Sequence, residues 1–119
     1  MSPTGPGAVS LDAELEGLRV SSVVFVEDYF QLILDHVGVT AHAAPHFVDG
    51  ESFVELHDPR FPHRARELIG SQVTGAGHDA SGATVRFSNG QVLFIPFSPE
   101  VVEPMLLRAR GTVFVFPDQ

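Results

Sequence analysis

Apolar positions alternate with small or polar ones in six short segments of this chain, the period expected of half-buried strands. Supplied with Val, Ile, Phe and Thr, the pattern predicts strands over about 19–26, 29–35 and 39–44, then again over about 72–78, 83–88 and 91–97. A short helical stretch precedes each set: "LDAELE" before the first and "PHRARELI" before the second. The second stretch has Pro62 in its first turn and Gly70 just past its end, the usual start and stop chemistry of a helix. "SNGQ" marks a tight turn between the last two strands, because Asn and Gly tolerate positive φ. "MLLRARGTVFVF" reads as a closing hairpin turned at "RARG", with a helix over 104–109 behind Pro104 as its rival. "SFVEL" (52–56) is a further short strand candidate.

The two sets match each other. A shift of 53 residues lays "ELEGLRVSS" (14–22) over "ELIGSQVTG" (67–75), with Glu, Leu, Gly and Val coinciding. The same shift lays Phe30, Leu32 and Leu34 over Ala83, Val85 and Phe87. A duplicated unit, about 14–47 and 67–100, follows from this. The fold class expected is mainly β with short helices (α+β). Two pseudo-repeated three-stranded antiparallel meanders would face each other as a sandwich or curl into a partly open barrel. Residues 1–10, rich in Pro, Gly and Ser, read as a flexible tail before one β domain over 11–119.

Composition narrows the chemistry. There is no Cys, so disulfides, thiolate catalysis and Cys-based zinc sites are excluded. There is no Lys either, which removes Schiff-base chemistry and a phosphate-loop lysine. The net charge of −8 is uneven: residues 1–59 carry ten acidic groups against Arg19 alone, whereas residues 60–119 carry five against six Arg. Such a field repels phosphate backbones and anionic lipid, so neither nucleic acid nor a membrane is expected as partner, whereas a basic protein would be attracted. The start of the chain lacks the charged and apolar regions of a signal peptide, and the expected location is cytoplasmic.

Helix, "LIGSQV" and "ATVRFSNGQVLFIPF" together resemble a small actinobacterial family of unknown function. The shared features are a Leu-x-Gly-x-x-Val opening and a Phe-x-Asn-Gly-x-x-Leu hairpin, and the resemblance spans about residues 14–117. It implies the β architecture and assigns no catalytic residue.

Candidate chemistry gathers in one stretch. His36, His42, His46, His57 and His63 lie there with Asp35, Asp49, Glu51, Glu55 and Asp58, the side chains that bind zinc or act as general acid and base. "HAAPH" has the i, i+4 spacing of a helical metal motif without the helix, since Pro45 interrupts it. On a strand, positions 42 and 46 would sit roughly 13 Å apart at ~3.3 Å per residue, too far for one ion unless the chain turns. No metal or cofactor is therefore expected. Under the shift of 53, His42 and His46 lie over Ile95 and Pro99, and Ala41, Ala43 and Ala44 over Phe94, Pro96 and Phe97. A polar-edged pocket in the first unit is one consequence; filling by Phe47 or Phe53 is the other, favoured by the density of protein cores. Arg60, Arg64 and Arg66 could hold a carboxylate or neutralise the acidic half.

The function expected is that of a small acidic binding module recognising a protein partner, in the manner of an immunity or accessory factor. Arg60, Arg64, Glu51 and Glu55 are its candidate binding residues, and a homodimer is one candidate assembly. The alternative is a small β-barrel enzyme or ligand carrier of cyclase, isomerase or hydrolase type. Its pocket would be lined by His42, His46, His57 and Asp58.

Overall fold

Ser10 starts the ordered architecture: its hydroxyl accepts the Ala13 amide at 3.2 Å and caps helix α1 (Leu11–Leu15), whose Leu11 and Leu15 are buried. The computed structural model describes residues 10–27, 29–49 and 52–117. Most of the expected tail, residues 1–9, lies outside them, while Ser10 belongs to the helix.

After α1 comes the first meander, β1 (Val20–Val26), β2 (Tyr29–Leu34) and β3 (Val37–Ala41). A hairpin follows, β4 (His46–Asp49) and β5 (Ser52–Glu55), then α2 (Phe61–Arg66). The second meander is β6 (Val73–Asp79), β7 (Gly82–Phe87) and β8 (Val92–Pro96), and a second hairpin, β9 (Met105–Ala109) and β10 (Thr112–Phe116), completes the series. The strands form two five-stranded antiparallel sheets, ordered β1-β2-β3-β9-β10 and β5-β4-β8-β7-β6, which do not close into a barrel and are consistent with a sandwich. Each unit thus donates its hairpin to the other unit's sheet. β9 pairs with β3 (Val39 opposite Leu107), and β4 pairs with β8 (Phe47 opposite Leu93).

The repeat is written into the hydrogen bonds. The Gly17 amide donates to Val73 O at 2.8 Å, and the Gly70 amide donates to Val20 O at 2.9 Å. The Val20 amide donates to Ser71 O and the Val73 amide to Leu18 O, both at 2.9 Å. Arg19 and Gln72, equivalent residues, bridge each other where the pseudo-twofold passes. Their amides also find equivalent acceptors at 3.0 Å, Asp35 Oδ2 and Ser88 Oγ. Both first strands carry a bulge at the same place, between Val20 and Ser22 and between Val73 and Gly75. Gly17 and Gly70 have φ of 85° and 94°, so the matched glycine is the left-handed residue that turns each helix into its strand.

One continuous core joins the sheets. Phe30, Leu32 and Leu34 of β2 meet Val39 of β3 and Leu107 of β9 on one side, and Val85, Leu93, Ile95 and Phe47 on the other, all buried. Neither unit could close this core alone, because each sheet contains strands from both.

Two details differ from the sequence expectation, and one open choice is decided. The third strand of the first unit runs Val37–Ala41 rather than 39–44, and His46–Asp49 is a separate strand in the other sheet. The expected closing hairpin forms, and Met105–Ala109 is its first strand rather than the rival helix, because β9 adds to β3 and buries Met105, Leu107 and Ala109 at alternate positions. The shift of 53 also fails beyond the second strand. Ala41 faces Phe30 while Ile95 faces Ala83, so Ile95 corresponds to Ala41 and not to His42. The cause is turn length: Asp35 and His36 turn the first hairpin, whereas Ser88, Asn89 and Gly90 turn the second. His42 then matches Pro96, and His46 matches Leu106 by its place in the donated hairpin.

Candidate functional site

"AHAAPHF" is the crossover between the sheets. Ala41 ends β3 in one sheet, His42 to Pro45 pass across, and His46 begins β4 in the other. The two histidines therefore stand on different sheets and do different things.

His42 continues the β3–β9 ladder. Its amide and that of Ala43 both donate to Pro104 O, at 2.8 and 3.2 Å. Its Nδ1 lies 3.0 Å from the Glu103 carbonyl oxygen, a contact that puts the proton on Nδ1, since a carbonyl can only accept. The ring meets Tyr29 edge-on at 5.5 Å.

His46 lies on the outer face of its sheet, between Phe53 at 4.7 Å and Phe94 at 5.2 Å. Glu55 sits directly across the strand pair. Burial between the rings holds the imidazole below its ordinary pKa, and the Glu55 charge partly offsets this. Phe53 is 55% exposed, so it does not fill space behind the alanines. Phe47, fully buried, packs instead against Phe61 of α2 at 4.9 Å.

His57 is exposed in the loop after β5, and Asp58 beside it is engaged by Arg60. Arg60 donates its amide to Asp58 Oδ1 at 2.8 Å, and its guanidinium makes a forked pair at 3.1 and 2.8 Å. These bonds pull the Asp58 pKa down to about 2, so the group stays ionised and acts as a loop brace. Arg64 offers its carbonyl to Gln91 Nε2 at 3.0 Å, joining α2 to the second hairpin turn. Glu51 lies outside the described residues. Across the repeat, Arg110 of the β9–β10 turn pairs with Glu14 of α1 at 2.8 Å, so part of the acidic half is neutralised from within.

Among the described residues, no three His, Cys, Asp or Glu side chains converge as a metal would need. His46 and Glu55 come together, as do Asp58 and Arg60, while His42 joins neither pair.

An open cleft of about 680 Å³ lies elsewhere, in the second unit. Its walls are the β6–β7 turn at Ala80, the long crossover 97–104 with Phe97, Val101 and Pro104, and the end of β10 at Val115 and Pro117. Ser98, Val102 and Glu103 complete it. His78, at the end of β6, stacks edge-on against Phe116 at 4.9 Å and lies 6.5 Å from Phe97. None of the sequence-nominated residues lines this cleft. Glu103, Phe97 and His78 were missed because they sit in the unit whose apolar residues looked ordinary. One signal was available: the shift of 53 lays His78 over Phe25, a polar ring in place of an apolar one.

Among the described residues, no helix is long and apolar enough to cross a membrane. No known protein family, curated protein or solved structure matches this chain.

Proposed function

We propose that this protein is a non-catalytic binding module that recognises a basic protein partner through the outer face of the β5-β4-β8 end of its sheet. The observation carrying this reading is Phe53, a large ring 55% exposed on an outermost strand. It is backed by His46 and Phe94 and flanked by Glu55 across from His46. Exposed aromatics that need not reorganise are the residues that anchor interfaces, and rim carboxylates steer a basic partner toward them. The charge of −9 on residues 1–59 supports the same sign of partner. This surface includes Glu55 of the candidate binding residues; Arg60 is committed to Asp58.

The test is titration of the purified products of neighbouring genes against the wild type and the Phe53→Ser variant. A basic product should bind, more weakly as salt rises, and Phe53→Ser should weaken binding at least tenfold, the loss typical of an interface anchor. Binding unaffected by Phe53→Ser, or no salt-dependent binding by any basic product, would overturn the proposal.

A further inference from the structure

We propose that the cleft between the β6–β7 turn, the 97–104 crossover and the end of β10 binds a small amphipathic cation: an aromatic or branched apolar body carrying an amine. The site is separate from the Phe53 surface, and neither reading depends on the other.

Size and lining come first. About 680 Å³ lies within the range of small-molecule sites, which are mostly apolar with a few placed polar groups. Phe97, Val101, Pro104, Val115 and Pro117 supply apolar walls, and three of the wall residues, Pro99, Pro104 and Pro117, cannot donate a backbone hydrogen bond into the cleft. Such walls select an apolar body.

Charge selects the head group. Glu103 is the charged residue among those lining the cleft, and no Arg lines it. Its carboxylate makes no ion pair with any described residue. The other polar side chain, Ser98, already accepts the Glu100 amide at 3.2 Å within its own turn. A carboxylate beside apolar walls, on a protein of net charge −8, favours an amine over an acid.

The backbone shows that the wall is held in place. Glu103 has φ of 72°, a left-handed conformation unusual for a residue with a side chain. It is pinned from behind by His42, whose Nδ1–H meets the Glu103 carbonyl at 3.0 Å, while the His42 and Ala43 amides hold Pro104 O. A strained residue fixed by neighbours at the edge of a cleft is a mark of a prearranged site. His42 is thus a positioning residue: it touches no ligand and aims the segment that carries Glu103.

The experiment is a titration of amide chemical shifts in the full chain with phenethylamine, 2-phenylethanol and 3-phenylpropionate, which share a body and differ in head group. Phenethylamine should give saturable shifts at Ala80, Phe97, Val101 and Val115, and bind more tightly than the alcohol, with the acid weakest. Glu103→Gln should reduce amine affinity about threefold, the size of a partly exposed ion pair, and leave the alcohol unchanged. His42→Ala should weaken amine and alcohol alike, and His42→Gln, which keeps a donor, should restore part of the loss. The proposal is overturned if the shifts do not saturate or fall outside the cleft. It is equally overturned if the acid binds as well as the amine, or if Glu103→Gln changes nothing.

Discussion

The internal repeat gives the molecule two related flanks, and they are finished in opposite ways. Where β1 approaches β4, α2 drives Phe61 between the sheets, with ring contacts to Phe25 at 6.1 Å, Phe30 at 5.4 Å and Phe47 at 4.9 Å. The equivalent positions on the other flank are His78, Ala83 and Leu107. There the His78 ring leans on Phe116, and the 97–104 crossover stands off to leave a cleft. One scaffold therefore carries a packed flank and an open one. Phenylalanines supply apolar area where the chain must be held together, and the flank released from that duty is free to hold a ligand.

The largest expected effect tests that contrast directly. Phe61→Ala should cost about 3–5 kcal/mol, since it empties the centre of a fully buried ring cluster. Phe97→Ala, removing a half-buried ring from the open flank, should cost about 1 kcal/mol. Denaturant unfolding of both variants measures the difference, and equal losses would abolish the distinction between the flanks.

A smaller effect sharpens the symmetric part. Gly17→Ala and Gly70→Ala place a Cβ on left-handed backbone with no other atom within 4 Å, so each should cost only the backbone term, about 1 kcal/mol. The two losses should agree within a few tenths of a kcal/mol. A marked inequality in the same unfolding measurement would show that the units share geometry without sharing energetics.

The smallest effect belongs to His46. Its pKa is lowered in the folded protein, so the unfolded chain takes up the proton first as pH falls. Stability should be level above the ordinary value of 6.5 and decline as pH drops through the folded pKa. Glu55→Gln removes the charge that partly offsets burial and should push the His46 pKa lower still, read from the ring proton shifts. No such movement would separate His46 from Glu55 and weaken the proposed contact surface.

Much of the local structure was legible. The pattern placed nine of the ten described strands to within a few residues, the hairpin at Arg110-Gly111 included, and the glycine match marked the left-handed turn into each unit's first strand. β4 was not legible. It has only four residues, and "AHAAP" before it continues the apolar texture of β3, so nothing local says that the chain changes sheets. The counterparts of His42 and His46 were misassigned for a related reason: one extra turn residue slips the register without disturbing the alternation.

The sequence by itself determined which residues turn inward, where a glycine turns the chain into each unit's first strand and that the chain is built twice, because side-chain period and glycine backbone freedom act locally. Tertiary structure decided which strands become neighbours. The exchange of hairpins, the flank plugged by Phe61, and the meeting of His42 with Glu103 each join residues far apart in the chain. A strand's alternation specifies a face and leaves its partner open. The partner is chosen when two sheets must share one core, and the cleft is what remains where that packing is incomplete.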